Sequence, residues 1–283
     1  MSEYLIKKFR LSYLTQKILV KHIDPSTKYP ETILLGYYSI EGVGEHISRY
    51  TLSSKLAHGV ILDCAAGSCY GSSILRRGNS VNWVISVDVD KDLLKYGKIV
   101  YNALCVCADA THLPFREQCF DSVISIETIE HIRNQEAFLK DIKSCLKQGG
   151  TLLLTTPNKL YTSSFLPNPL NPYHINEYYL GPLLIFLKSH GFEARRIYGG
   201  RKATRLEFIR RLLGSFLKFS LGKLLLKPHF IDDIYSISNS INRKKQKSKM
   251  LVDPDPSMFM HVELRIASNI ILYQYFVILT HKT

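Results

Sequence analysis

The chain has 283 residues, 46% of them hydrophobic and 22% charged, a composition that buries a core and excludes collagen-like, disordered and disulfide-scaffold classes. Its 37 Lys and Arg against 24 Asp and Glu leave a net charge of +13. That excess points to an acidic partner without choosing among nucleic acid, an anionic membrane face and a phosphorylated substrate.

From Val60 onward short apolar runs alternate with amphipathic stretches. Val60–Leu62 reads as a strand and Ser73–Arg77 as the start of a helix. Trp83–Val87 is a second strand, followed by a helix over Asp92–Tyr101, and Leu104–Ala108 is a third. Ser122–Ile126 is a fourth strand, Ala137–Lys147 a helix closed by Gly149-Gly150, and Thr151–Thr155 a fifth strand. Pro182–His190 reads as a helix, Phe192–Tyr198 as a sixth strand and Ile270–Thr280 as the last. Strands separated by helices predict an α/β fold, a doubly wound, mostly parallel sheet of seven strands. Between the last two strands lies an insertion whose first half has helical leucine spacing punctuated by Arg205, Arg210, Arg211, Lys218, Lys223 and Lys227. Its second half carries the run Arg243–Lys249.

The six cysteines, Cys64, Cys69, Cys105, Cys107, Cys119 and Cys145, have no paired CxxC spacing and sit mostly in apolar contexts. They are expected to be reduced core residues of a cytosolic protein. The start of the chain lacks the apolar core of a signal peptide, and the longest apolar run, Asn269–Thr280, is too short for a bilayer. The expected location is cytoplasmic, with a basic surface available to a membrane.

In an open parallel sheet the ligand sits at the carboxyl ends of the strands, where strand order reverses. Here those ends carry Asp63, Asp88, Asp109, Glu127 and Asn158 in turn, which predicts a binding crevice. The loop from Asp63 to Gly71 has small residues at Ala65, Gly67 and Gly71 that let the backbone turn tightly. A tight structural turn explains it equally well. Asp88 suits the two hydroxyls of a ribose. Asp109 suits an adenine amino group, with Ala108 or Ala110 packing the ring. The loop lacks the full GxGxxG that a pyrophosphate needs.

The segments VILDCAAGSCYGS, ISVDVD, CADATHLPF, FDSVISIETIEHI, LKQGGTLLLTTPN and NPYHINEY, in that order, resemble a class I S-adenosylmethionine-dependent methyltransferase. The likeness runs from about Glu45 to Gly200 and returns at the last strand. It is nearest to the subgroup found with glycan and O-antigen biosynthesis enzymes, where an EHxxRY stretch, here Glu45–Tyr50, precedes the glycine loop. Departures are Ala66 for a Cys and Cys69 for the third Gly, and Cys69 is expected to narrow the pocket slightly. The resemblance implies S-adenosylmethionine as cofactor. It places Asp63, Ala65 and Gly67 along the methionine moiety, Asp88 on the ribose, Asp109 with Ala110 on the adenine, and Glu127 closing the site. His46, Arg49 and Tyr50 lie on an N-terminal helix that either folds over the cofactor or presents an exposed basic-aromatic face, Arg49 being counted among the cofactor-binding residues.

Spacing i, i+3, i+4 sets Glu127, Glu130 and His131 on one side of a helical turn. With His174 they form either an acceptor pocket with a histidine base or a mixed oxygen–nitrogen site for a divalent metal. The pocket is preferred: His131, His174 and Glu130 are the catalytic candidates, and no metal ligand is assigned. The expected activity is O-methylation of a small molecule or of a sugar or glycan intermediate. The alternatives are an RNA 2′-O-methyltransferase with an ExxEH metal site and a catalytically silent cofactor-binding subunit. RNA is disfavoured as a partner because no RNA-binding module is visible. The basic insertion reads as a lid helix packed over the acceptor pocket with its lysines solvated, or as a surface for peripheral association with an anionic membrane, and oligomeric state has no signature in the sequence. The expected organisation is an N-terminal helical cap over residues 1–54, the cofactor-binding core over 55–199, the basic insertion or lid over 200–267 and the final strand over 268–283.

Overall fold

The computed structural model describes residues 40–164, 166–202, 262–263 and 273–283, with Ile209 and Leu213 as isolated positions. The expected helical half of the basic insertion lies almost wholly outside the described residues, as does the run Arg243–Lys249. So do residues 1–39 of the expected cap.

The described chain begins with helix α1 (Ile40–Leu56), which runs past residue 54 into the edge of the expected core. There follow β1 (Gly59–Cys64), α2 (Tyr70–Leu75), β2 (Val81–Asp88), α3 (Lys91–Tyr101), β3 (Leu104–Cys107), β4 (Phe120–Ile126), α4 (Gln135–Cys145) and β5 (Leu146–Pro157). A short helix α5 (Lys159–Thr162) precedes α6 (Leu180–Ser189), β6 (Phe192–Lys202), the two-residue β7 (Val262–Glu263) and β8 (Tyr273–Lys282). The sheet order is β3-β2-β1-β4-β5-β8-β6-β7. Its seven long strands are those expected, and β7 adds a short eighth at the edge. β1 to β5 are mutually parallel, while β8 runs antiparallel between β5 and β6.

Side-chain alternation along the central strands feeds two cores, as a sheet covered on both faces requires. Leu62, Val123, Leu152, Leu154, Phe276 and Ile278 face one layer, with Phe138, Leu139 and Ile142 of α4 and Leu183 and Leu187 of α6. Their neighbours Ile61, Ile124, Leu153, Val277 and Leu279 face the other, with Tyr50 of α1 and Tyr70 and Leu75 of α2. Each fully buried side chain of this size contributes about 1.5–3 kcal/mol.

Local signals set the helix starts. Asp90 caps α3 by accepting from the backbone N–H groups of Asp92 and Leu93, and Asn134 caps α4 through Ala137. Expected boundaries are corrected at two helices. The one expected to start at Ser73 and reach Arg77 begins at Tyr70 and ends at Leu75. The helix expected to run to Lys147 stops at Cys145, and Gly149-Gly150 does not close it. Both glycines lie inside β5, where the register against β4 slips between Phe120 and Ser122. Gly149 adopts φ +70°, and a Cβ on Gly150 would stand 2.8 Å from the Lys147 carbonyl oxygen, so the bulge requires glycine.

Candidate active site

The order reverses at β1, which lies between β2 and β4, and the acidic strand ends gather around that point. Asp63, at the end of β1, is wholly buried. One carboxylate oxygen accepts from Tyr50 Oη at 3.1 Å and the other from Ser72 Oγ at 2.6 Å. Burial dominates over these two bonds and pushes its carboxyl up to about 7. Asp63 thus anchors the loop from beneath, tying α1 and α2 to β1.

Above it the chain turns with Ala65 at φ 59°, Gly67 at φ 54° and Cys69 at φ 60°. Two of these three left-handed positions hold residues with a Cβ, at a cost of about 1–2 kcal/mol each. Cys69 does not narrow the pocket. Its side chain is fully buried against α3 and β3, with Sγ 3.8 Å from Cys105 Sγ, and it fills the space that Gly97 leaves open. Packing of a sulfur into the helix layer replaces the freedom that a glycine would bring.

Asp88 ends β2 half-buried. One oxygen accepts from the Gly67 N–H at 2.7 Å and the other from the Asp90 N–H at 2.8 Å. Burial raises its carboxyl above the ordinary value despite these bonds. A carboxylate has about four acceptor sites, so both oxygens retain capacity for a vicinal diol. Asp109 is exposed and receives the backbone N–H and hydroxyl of Thr111, both at 2.8 Å, which hold its carboxyl below the usual range. Ala110 is buried in the main core. The left-handed loop, the Asp88 carboxylate and exposed Asp109 fit an adenosyl ligand laid across the ends of β1, β2 and β3.

Glu127 departs from its expected position. It ends β4 at φ 50°, outside the 3-10 turn Ile129–His131, because its backbone N–H is drawn to the Thr155 carbonyl and hydroxyl on β5. Its side chain accepts from Thr155 Oγ1 at 3.0 Å and pairs with Arg49 at 3.8 Å. Arg49, buried on α1, also pairs with Glu45 at 3.8 Å. The helix expected to fold over the cofactor is therefore tied to the end of β4. His46, one turn before, is held well below its ordinary value by burial and by Arg49.

Glu130, His131 and His174 do come together. One carboxylate oxygen and one ring nitrogen from each histidine lie within 4.8 Å of one another. The histidine rings meet edge to face, with centroids 4.9 Å apart. Glu130 is wholly buried. One oxygen accepts from Thr156 Oγ1 at 3.0 Å, and the other has no hydrogen-bond partner. Burial, then the charge of Glu127, pushes its carboxyl well above the ordinary value. Glu127 is not part of this cluster. His131 Nδ1 stands 2.9 Å from the Tyr173 carbonyl, and His174 Nδ1 stands 2.7 Å from Glu177 Oε1. Sequence reasoning missed Glu177, Thr155 and Thr156. Glu177 had a signal, its i, i+3 spacing from His174 in NPYHINEY, whereas the two threonines reach the site only through sheet pairing.

Residues 62–154 match the model of a family described as "Methyltransferase domain". A curated protein of Mycolicibacterium smegmatis described as a "Probable S-adenosylmethionine-dependent methyltransferase" is 26% identical over 62% of this chain and 72% of its own length. One of Mycobacterium tuberculosis is 28% identical over 47% of this chain and 48% of its own, so the matched part spans about half of that relative. Among solved structures, a SAM-dependent methyltransferase from Archaeoglobus fulgidus superposes with a TM-score of 0.52 at 19% identity, covering 86% of this chain and 95% of that one. The solved neighbour shares the fold, a sheet with the same kind of switch point flanked by helices. This chain is an S-adenosylmethionine-dependent methyltransferase, with S-adenosylmethionine as its cofactor.

Proposed function

We propose that the enzyme methylates a hydroxyl oxygen of a small-molecule acceptor, a sugar or glycan intermediate being the substrate class. The observation that carries this reading is the His131–His174 pair beside Glu130 at the carboxyl end of β4. When bound, the cofactor supplies an electrophilic methyl group on a sulfonium. A hydroxyl must shed its proton as it takes that methyl, and imidazole is the side chain suited to receive it near neutrality. Asp88 would hold the ribose, the Asp63–Gly67 turn the methionine part and Asp109 the adenine, while Arg49 with Glu127 closes the site. The sugar or glycan class is supported by the resemblance of Glu45–Tyr50 and Asp63–Ser72 to enzymes of that setting.

The direct test is transfer of labelled methyl to a panel of hydroxylated acceptors, sugars included, with amine acceptors as the contrast. Transfer to amines alone overturns the reading. Asp88→Ala removes charged hydrogen bonds worth about 1.5–3 kcal/mol each. We expect it to weaken cofactor binding on the order of 10- to 100-fold by calorimetry, with far-UV circular dichroism preserved.

A second reading is favoured by one observation, the close approach of Glu130, His131 and His174, which could take a divalent cation. In that reading the acceptor is an RNA 2′-hydroxyl, and transfer to RNA would depend on added metal. For the surroundings we infer a cytoplasmic enzyme whose basic segments rest on an anionic membrane. No helix among the described residues is long and apolar enough to cross one.

A further inference from the structure

Behind His174 lies a carboxylate that the reaction as set out above does not use. Glu177 is buried, and its side chain receives three donors: Thr162 Oγ1 at 2.5 Å, Ser163 Oγ and His174 Nδ1 at 2.7 Å. Burial alone would raise its carboxyl, but the bonds from His174, Ser163 and Thr162 outweigh burial and hold it below the ordinary value. An ionised carboxylate can only accept, so the Nδ1 of His174 must carry the hydrogen. The basic lone pair of neutral His174 is then on Nε2. The backbone N–H groups of Ile175 and Asn176 donate to the Glu130 carbonyl at 2.7 and 3.2 Å, which clips this loop to the 3-10 turn and sets His174 against His131.

We propose that Glu177 is a positioning residue for methyl transfer, holding His174 in the tautomer whose Nε2 receives the acceptor's hydroxyl proton. The proposal rests on the O-methylation reading above. As the acceptor oxygen bonds to the methyl carbon, the carbon–sulfur bond breaks and its electron pair returns to sulfur. The hydroxyl proton passes to His174 Nε2. The resulting imidazolium lies against the Glu177 carboxylate, which offsets its charge until the proton leaves to solvent. Among the described residues, the titratable groups that face His174 are Glu177, His131 and Glu130. Thr162 and Ser163 already tie Glu177 to the end of α5. A purely structural staple would not need the third bond to His174.

The experiment uses the full chain with Glu177→Gln and Glu177→Asp. Gln can keep the hydroxyl bonds through its carbonyl oxygen, but its amide donates to Nδ1 and drives the hydrogen to Nε2. Nitrogen-15 spectra of the His174 ring in the S-adenosylhomocysteine complex should show hydrogen on Nδ1 in the parent and Asp variant, and on Nε2 in Glu177→Gln. Turnover on phenol probes should fall about 10²- to 10⁴-fold in Glu177→Gln. S-adenosylhomocysteine affinity should be unchanged, and the loss should shrink as the probe's hydroxyl becomes more acidic. Glu177→Asp should recover part of it. An unchanged tautomer in Glu177→Gln overturns the proposal, as does a loss of turnover matched by lost cofactor affinity. Binding of added Mg²⁺ or Zn²⁺ through both Nε2 atoms, with turnover dependent on it, also overturns it. If the parent moves no labelled methyl to any hydroxyl probe, the O-methylation reading fails, and the proton-transfer role assigned here fails with it. The ring-nitrogen spectra then still decide whether Glu177 holds the tautomer.

Discussion

Asp63 shows how a single wholly buried residue can hold a site together. A carboxyl of ordinary value 3.8 is pushed to about 7 by burial. Between those values the folded chain keeps a proton that the unfolded chain has released. The folded state therefore binds more protons there, and stability falls as pH rises through that window. The contribution is complete below the unfolded value and gone above about 7. Asp63→Asn keeps an acceptor for Tyr50 and removes the titration. In urea denaturation from about pH 5 to about pH 8, the parent should lose stability relative to Asp63→Asn as pH rises. Parallel pH profiles would show that this carboxyl does not carry the titration. Asp63 was legible as a strand-end acid because an apolar run stops at it. Its partners were not, since Tyr50 and Ser72 reach it only once α1 and α2 have packed on the sheet. The same limit hid the roles of Thr155 and Thr156. Cys69 was misplaced for a related reason: its left-handed backbone and its fit against Gly97 belong to the packed layer, not to the loop's own sequence.

At the scale of elements, strands were read with more fidelity than their pairings. Apolar runs ending in acids marked β1, β2 and β4, and one ending just before Asn158 marked β5, because strands covered on both faces need continuous apolar side chains. The 3-10 turn at Ile129–His131 and the bulge at Gly149-Gly150 depend on sheet register, which no local pattern announces. The seat of α1 is likewise a tertiary fact, and one close approach defines it. A Cβ on Gly71 would come within 2.0 Å of the Tyr50 ring, which stands edge-on to Tyr70 at 5.4 Å. Gly71→Ala must displace that ring and break its bond to Asp63, at a cost of about 1–3 kcal/mol in urea denaturation. Tyr50→Ala removes the obstacle, so Gly71→Ala made in that background should cost little, a non-additivity expected of touching residues. Additive costs in the double variant would place the strain elsewhere.

Over the whole molecule, charge and chemistry occupy different stretches of the sequence. The strand ends proposed to hold the cofactor are acidic, whereas residues 201–227 hold Arg201, Lys202, Arg205, Arg210, Arg211, Lys218, Lys223 and Lys227 against Glu207 alone. The run Arg243–Lys249 adds five more basic residues. A sulfonium cofactor gains nothing from such charge, so the excess in the +13 total bears on the acceptor side or on the surface where the enzyme works. Each Lys or Arg near an anionic leaflet contributes about 1 kcal/mol, an attraction that fades within a Debye length of about 8 Å at physiological salt. The enzyme should therefore sediment with phosphatidylserine-containing vesicles at low salt and be released at high salt, while leaving neutral phosphatidylcholine vesicles alone. Replacing Lys244, Lys245, Lys247 and Lys249 by alanine should weaken that binding on the order of a thousandfold. It should leave methyl transfer to a soluble probe unchanged, because none of the four is among the residues proposed above to hold the cofactor or the acceptor. Equal binding to neutral and anionic vesicles, or none at low salt, would remove the membrane from the account, and salt-sensitive binding to RNA instead would move the same charge to the second reading.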